Sequence, residues 1–475
     1  MRVLLRSAFV LLPLLGCSAR AVPQSLSSET IATATALRDG AMKGTRAYEL
    51  VRSLTVETGP RLAGSPGDKA GVEWGVRTLK ELGFQNVRAE KVTVPHWVRG
   101  AESGEIVSPW PQPVVLAALG GSVGTPEGGI EAEVVMVPDV AALEGMDPAK
   151  VKGRIVFVNK RMRRAKDGSG YGEAVVGRGR GATLGGKLGA AAVLIRSVGT
   201  DNNRTPHTGA MRYEEGTPRI PAAALSNPDA DILETQIDAA GKARKPVRFR
   251  LKLGARYLPD AESANVIGEI PGREKPEEIV LLGCHLDSWD LGTGAVDDAA
   301  GCAIMMEAAR RIGELPQRPR RTVRVVLFAN EEFGLSGARA YAEKYAADLP
   351  RHILAGESDF GSGRVWQVDS RVAPESLPLF DEIAKLLAPI GAERGDNQSG
   401  GGADLSPLIP ARVPVVGLNQ DGTYYFDWHH TANDTLDKID AKDLDQNVAA
   451  WAAVAYAAAE MSGSFGQAPE LRPRQ

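Results

Sequence analysis

Cysteine, histidine and an excess charge of either sign are all scarce in this chain of 475 residues. It contains three cysteines and six histidines, and 56 basic against 59 acidic residues leave a net charge of −3. That balance provides no basic footprint, so we expect no nucleic-acid partner. Cys284 and Cys302 stand in apolar surroundings, which favours small buried side chains over a disulfide, since sequence does not give their separation.

Long apolar runs are also missing beyond the N-terminus, where no stretch approaches the roughly 20 residues of a membrane span. The first 21 residues combine two arginines, an apolar core and small residues, which predicts an export signal. Two cleavage sites compete: ARA at 19–21 fits signal peptidase, whereas LLGC resembles a lipoprotein box. In the second case lipid on Cys17 would tether the chain to a membrane. Either site predicts a periplasmic, outer-membrane lipoprotein or secreted protein.

The length predicts two domains, or one domain with a large insertion. Helices in residues 22–115 lead into a stretch rich in proline and glycine, and short strands with small helices fill residues 116–255. In residues 256–465 strands alternate with helices, and residues 466–475 form a tail. This alternation predicts an α/β fold whose central sheet is mostly parallel, with helices on both faces and a smaller, β-rich α/β insert.

Polar side chains follow the predicted strands at one edge of this sheet. Ligands of such sheets gather where the strands end at their carboxyl edge. The residues at these ends, and at the start of the following long helix, are His285, Asp287, Asp297, Asp298, Glu331, Glu332, Asp359, His429 and His430.

Each group has an ordinary interpretation when it is taken alone. Asp297 and Asp298 could cap a helix, Glu331 and Glu332 could be solvated, and the histidines could be packed core residues. Together, so much negative charge would cost several kcal/mol in repulsion and desolvation. Divalent cations remove that cost, mixed imidazole and carboxylate ligands suit zinc, and five ligands with one shared carboxylate suit two metals.

Five motifs carry a family resemblance: HLDSWD, GAVDDAAG, FANEEFGLSG, ESD and HHTANDTLD. This set resembles the co-catalytic dizinc exopeptidases, which include leucyl aminopeptidases and glutamate carboxypeptidases, and HLDSWD with the doubled HHT is most similar to the carboxypeptidase Q branch. The likeness runs from GPRLAGSPG to the final helix. The block KVKGRIVFV to IPAAALS is similar to the protease-associated domain inserted in several exopeptidases.

The resemblance implies a set of ligands for two zinc ions. His285 and Asp359 would hold one ion, His430 and Glu332 would hold the other, and Asp297 would bridge both. The family places its histidine ligand directly before Thr or Ser, which favours His430 over the adjacent histidine but leaves that alternative open.

The resemblance also implies the catalytic roles. Asp287 would hydrogen-bond the free imidazole nitrogen of His285. Glu331 would act as general base on a metal-bridging water that attacks the peptide carbonyl. Strand alternation would point Glu331 and Glu332 apart and so separate their roles.

Two further assignments remain open. Tyr424 or Tyr425 could stabilise the oxyanion, although both could simply pack. The loop SGGGADLSPL resembles the substrate-pocket loop of the family, with Asp404 as its polar member.

The sequence therefore predicts an exported dizinc exopeptidase that hydrolyses short peptides or dipeptides. Whether it reads the amino or the carboxyl end, and whether it forms a homodimer, stays open. A dizinc N-acyl amino acid hydrolase and a non-catalytic receptor-like relative are the alternative functions.

Overall fold

The computed structural model describes residues 25–471, so the predicted export signal and Cys17 lie outside the described residues. The strands are β1 (Gln85–Val98), β2 (Glu102–Ser108), β3 (Gln112–Val114), β4 (Leu116–Ala118), β5 (Ile130–Val137), β6 (Ile155–Val158), β7 (Ala192–Arg196), β8 (Ala222–Leu225), β9 (Arg248–Leu253), β10 (Arg256–Ile270), β11 (Lys275–His285), β12 (Arg321–Phe328), β13 (His352–Glu357), β14 (Val365–Arg371), β15 (Glu393–Arg394) and β16 (Val415–Gln420). The α-helices are α1 (Ser28–Ala41), α2 (Ala47–Thr58), α3 (Pro66–Glu81), α4 (Val140–Glu144), α5 (Gly170–Ala174), α6 (Val176–Lys187), α7 (Asn227–Lys242), α8 (Ala300–Gly313), α9 (Ser336–Lys344), α10 (Leu377–Lys385) and α11 (Ala441–Glu460).

The first of two eight-stranded sheets has the strand order β1-β10-β12-β11-β13-β16-β14-β15. Its four central strands, β12, β11, β13 and β16, are parallel, whereas β10 and β14 flank them in antiparallel orientation. The centre is therefore parallel as predicted, and the antiparallel pairs lie towards the edges. A parallel sheet covered on both faces explains why the central strands are apolar throughout.

Both faces of the central strand β11 are buried. Val280 and Leu282 belong to a core shared with α8 and α11, whereas Ile279 and Leu281 belong to a core that includes Tyr341 of α9. Successive residues of a strand point to opposite faces, so one apolar run supplies both cores. The carboxyl end of β11 is thus held rigidly where His285 stands.

The second sheet has the strand order β3-β2-β9-β5-β6-β7-β8-β4. It contains β2 and β3, so it begins before residue 116, where the sequence placed the start of the insert. The reason is long-range pairing, because β2 runs antiparallel to β9 with Glu102 opposite Leu253. The chain leaves the first sheet along β1 and returns along β10, which pair with each other.

The turn before α3 braces the loop that leads towards the metal ligands. Ser65 caps α3, because its hydroxyl accepts the Asp68 N–H at 3.1 Å. The buried guanidinium of Arg61 donates to the backbone carbonyls of Leu286 and Thr293, both at 2.7 Å. This arginine therefore fixes both ends of the segment between β11 and the residues before α8.

Among residues 25–471, no helix combines the length and apolar character needed to cross a membrane.

Candidate metal centre

The predicted metal ligands meet at the carboxyl edge of the central parallel strands. His285 is the last residue of β11, Glu332 lies in the turn after β12, and Asp359 follows β13. Asp297 lies just before α8, and His430 lies in the turns beyond β16. Because the carboxyl ends of parallel strands share one edge, residues distant in sequence become neighbours here.

The first half of the centre joins His285, Asp297 and Asp359. The Nε2 atom of His285 lies 3.1 Å from Oδ1 of Asp297 and 3.2 Å from Oδ1 of Asp359. The histidine is 1 % exposed, and the three side chains could hold one metal ion between them.

The second half uses the other oxygen of the same Asp297 carboxylate. The Nε2 atom of His430 lies 3.2 Å from Oδ2 of Asp297 and 2.9 Å from Oε2 of Glu332. His429 stacks on His430, and its Nε2 atom lies 3.6 Å from Oδ2 of Asp297. His429 is thus also close to Asp297, but His430 is the histidine that contacts Glu332.

The donor atoms fit divalent cations. Among the described residues, Asp297 Oδ2 and Glu332 Oε1 are buried oxygen atoms that accept no hydrogen bond. Burial raises the pKa of Glu331. His285 partly offsets this effect, whereas the negative charge of the neighbouring Asp359 adds to it. Burial would also raise the pKa of Asp297, but the two imidazoles hold it well below its usual range. Carboxylates crowded together beside imidazoles are the environment that a cation stabilises.

The orientation of His285 differs from the prediction. Its Nδ1 atom lies 3.0 Å from the backbone carbonyl of Asp287, whereas the Asp287 carboxylate is 3.7 Å away. A proton on Nδ1 that donates to this carbonyl leaves Nε2 free for a metal. The short spacing in H-x-D therefore orients the ring through the backbone rather than through the side chain.

The Asp287 carboxylate instead anchors the turn after β12. It accepts the Glu331 N–H at 2.9 Å and the Glu332 N–H at 3.3 Å. The two glutamates do not follow strand alternation, because β12 ends at Phe328 and Asn330 has a φ of 57°. The side chains of Glu331 and Glu332 are therefore oriented by a turn rather than by the alternation of a strand.

Three groups that contact the His430 half were missed in the sequence. The indole N–H of Trp289 donates to Glu332 Oε2 at 2.6 Å. The backbone carbonyl of Thr208 lies 3.4 Å from His430 Nδ1, and Arg178 Nη1 lies 3.4 Å from the same nitrogen. Trp289 stands within the HLDSWD motif and could have been suspected. Thr208 and Arg178 come from the chain between β1 and β10, where no local pattern marks them.

The Asp298 carboxylate forms hydrogen bonds with backbone N–H groups rather than with the side chains of the predicted metal ligands. Its carboxylate accepts the His285 N–H at 3.1 Å and the Gly301 N–H at 3.0 Å, as a helix cap does. Cys284 and Cys302 are free and buried beside it, and Cys302 Sγ donates to the His285 carbonyl. The capping interpretation thus fits Asp298, whereas Asp297 faces the histidines.

The two tyrosines and the glycine-rich loop take different positions. Tyr424 is 60 % exposed, whereas Tyr425 is buried against His429 and Phe360. Asp404 is fully buried, and its backbone N–H donates to Glu357 Oε2 at 2.9 Å.

Known proteins resemble this chain along most of its length. The profile of Peptidase family M28 matches residues 265–455. Carboxypeptidase Q of Mus musculus is 35% identical over 416 residues, which cover 88% of this chain and 86% of that protein. The chain belongs to peptidase family M28.

Solved structures extend this result to the fold. The Peptidase M28 precursor from Shewanella amazonensis SB2B is 46% identical, with a TM-score of 0.90, and the match covers 93% of this chain and 99% of that one. BSAP, a zinc aminopeptidase from Bacillus subtilis, shares the fold with a TM-score of 0.62 and 21% identity, over 90% and 98% of the two chains. The predicted family, the α/β fold class and the enzyme class of metallo-exopeptidase are confirmed.

Proposed function

We propose that this M28 metallo-exopeptidase holds two zinc ions and hydrolyses short peptides. One observation carries the proposal: the Asp297 carboxylate lies between two histidines, with one oxygen 3.1 Å from His285 and the other 3.2 Å from His430. A carboxylate shared in this way is how two metals are held close together. His285 and Asp359 would hold one zinc, and His430 and Glu332 the other.

The residues around the zinc ions divide the work. Zinc bound there supplies a Lewis acid that polarises the peptide carbonyl and lowers the pKa of water. Glu331, fixed by the bond from its N–H to Asp287, takes the proton of the attacking water and delivers it to the leaving amine. Trp289 holds the Glu332 carboxylate, and the carbonyls of Asp287 and Thr208 orient the two imidazoles.

Metal content and peptide turnover, measured on one preparation, test this function. We expect about two zinc ions per chain and hydrolysis of dipeptides with free ends. An aminoacyl anilide and a carboxyl-blocked dipeptide show which end is read. Absence of zinc from protein purified without chelator would contradict the ligand set, and tight zinc without turnover would contradict the peptidase assignment.

We also propose that residues 1–21 export the chain and that the second sheet belongs to an inserted domain. Antiparallel pairing of β1 with β10 on either side of the insert supports the second point. Mass spectrometry of the mature N-terminus distinguishes cleavage after residue 21 from lipidation of Cys17. Sedimentation of the purified protein measures its mass in solution and so tests whether it forms a homodimer.

A further inference from the structure

A cleft of about 1200 Å³ opens beside the metal centre, along β13, β16 and β14. It reaches the metal centre at Asp359 and is closed on another side by the glycine-rich loop at residues 399–403. Among residues 25–471, the charged residues that line it are all acidic: Asp167, Glu357, Asp359, Asp369 and Asp396. A cleft lined by one sign of charge concentrates ligands of the opposite sign.

Two of these carboxylates are held in place without being neutralised. Asp369 Oδ1 accepts the Asp396 N–H at 2.8 Å, and Asp369 Oδ2 accepts a bond from Asn419 Nδ2 at 2.6 Å. Asp396 Oδ1 accepts the Gln398 N–H at 2.8 Å. Those donors are all uncharged amides, and across residues 25–471 neither Asp369 nor Asp396 forms an ion pair. Both negative charges therefore remain available to a ligand.

Three basic side chains described near the cleft contact groups other than the Asp369 and Asp396 carboxylates. Arg394 pairs with Asp381 at 2.9 Å and reaches Asp396 only through its backbone carbonyl. Lys166 lies over the ring of Trp366, 4.5 Å from its centroid. Arg371 is buried behind the loop, where its Nε donates to the carbonyl of Ser399.

The carboxylate of Glu357 independently indicates that a hydrogen-bond donor from a ligand fits in the cleft. Its side chain is buried, since the residue is 7 % exposed, and it lines the cleft two residues before Asp359. The Oε2 atom accepts the Asp404 N–H, whereas Oε1 accepts no hydrogen bond from any described residue. A buried oxygen without a donor is destabilising, so a donor from a ligand would be favoured there.

We propose that this acidic cleft binds the cationic side chain of a lysine or arginine residue of the peptide substrate. Asp369 and Asp396 face the ammonium or guanidinium group, and Leu418 in the cleft wall offers apolar surface to its alkyl stem. The inference rests on the proposed peptidase function and adds a substrate class to it.

Binding to the zinc-loaded Glu331→Gln variant tests the inference without turnover. Calorimetry would compare Lys-Ser with norleucine-Ser, and Ser-Lys with Ser-norleucine, because norleucine keeps the alkyl stem and lacks the charge. In at least one pair we expect the lysine peptide to bind about tenfold more tightly, equivalent to about 1.4 kcal/mol. High salt should narrow that preference. Equal affinities in both pairs, or no binding at all, overturn the inference.

Substitutions in the same Glu331→Gln background assign the preference to the cleft. The double substitution Asp369→Asn with Asp396→Asn should reduce the preference for the lysine peptide below about threefold, because removing both charges removes most of the Coulomb attraction. Asp396→Asn alone, at an exposed position, guards against a folding defect in the double variant. Asp238→Asn, on the exposed face of α7, is the matched control and should keep the preference. An unchanged preference in the double variant overturns the proposal.

N-acetylated peptides separate a basic side chain from the α-ammonium group of the substrate. If the acetylated lysine and norleucine peptides bind with equal affinity, the cleft does not bind the lysine side chain and the proposal is wrong. A lysine preference that survives acetylation supports it. Wild-type turnover is measured separately, so failure of the peptidase function and failure of this specificity give different results.

Discussion

The two halves of the candidate metal centre are held by different parts of the molecule. The His285 half is assembled at the edge of the central sheet, where the Asp287 carbonyl orients the ring and Asp359 follows the neighbouring strand. The His430 half lies beside Thr208, which belongs to the chain between β1 and β10. The backbone of Thr208 also donates to the His430 carbonyl at 3.0 Å. The chain between β1 and β10 therefore supports one of the predicted metal ligands.

Asp297→Asn should break both halves together and have the largest effect. Each oxygen of this carboxylate faces a different histidine, so we expect loss of both metals. Turnover should fall by more than the roughly 10–100-fold that loss of a supporting residue costs. Metal analysis and peptide assays check this, with Asp238→Asn as the matched control. Retention of two metals would show that Asp297 is not shared.

Glu331→Gln should leave both halves intact and remove the base. Its side chain is not needed to bring the histidines and the other carboxylates together, so the metal content should match wild type. Loss of a general base lowers turnover by roughly 10²–10⁴-fold. If the variant lost metal in proportion to its activity, Glu331 would be a ligand instead.

Trp289→Phe should weaken only the His430 half. It removes the indole N–H that donates to Glu332 while keeping an aromatic ring. We expect one of two zinc ions to bind roughly 10–100-fold more weakly in a chelator competition. Trp74→Phe is the control, because that buried indole donates to the Ser53 hydroxyl at 2.9 Å instead. Equal weakening of both ions would contradict separate support of the halves.

His352 provides a reference: a buried histidine that belongs to neither half. Burial lowers its pKa to about 4, and its ring bonds to the Tyr341 hydroxyl and lies near the Asp348 carbonyl. Below the ordinary histidine pKa of 6.5, His352 is protonated in the unfolded chain but stays neutral in the folded protein. The free energy of unfolding should therefore fall as the pH drops from about 6.5 towards 4, by about 3 kcal/mol.

Urea unfolding of metal-free protein at several pH values measures this loss. His352→Gln keeps one donor and one acceptor without titrating, so the difference between wild type and variant isolates the histidine. Parallel stability curves for the two proteins would show that His352 titrates normally in the folded state.

Much of the centre could be predicted because strand ends are visible in sequence. Continuous apolar runs mark β11, β12 and β13, and the polar residues that follow each run must share one edge of a parallel sheet. His285, Glu332 and Asp359 were found in this way, and the structure brings them together with Asp297 and His430. Their roles as metal ligands remain a proposal that metal analysis will test.

Contacts between distant segments could not be predicted in the same way. The pairing of β2 with β9 moves the start of the second sheet before residue 116, and no local pattern reveals a partner some 150 residues away. The turn at Asn330, rather than a strand, separates the roles of Glu331 and Glu332. Backbone carbonyls that orient imidazoles carry no residue signature at all.

The sequence by itself determined the family and the α/β class and predicted which side chains carry the chemistry, because these follow from residue types at fixed local spacing. Only the tertiary structure decided which atoms meet: Thr208 beside His430, Trp289 on Glu332, and Asp369 with Asp396 in an acidic cleft. Those contacts join segments up to about two hundred residues apart. Packing of whole sheets, rather than any local preference, brings them together.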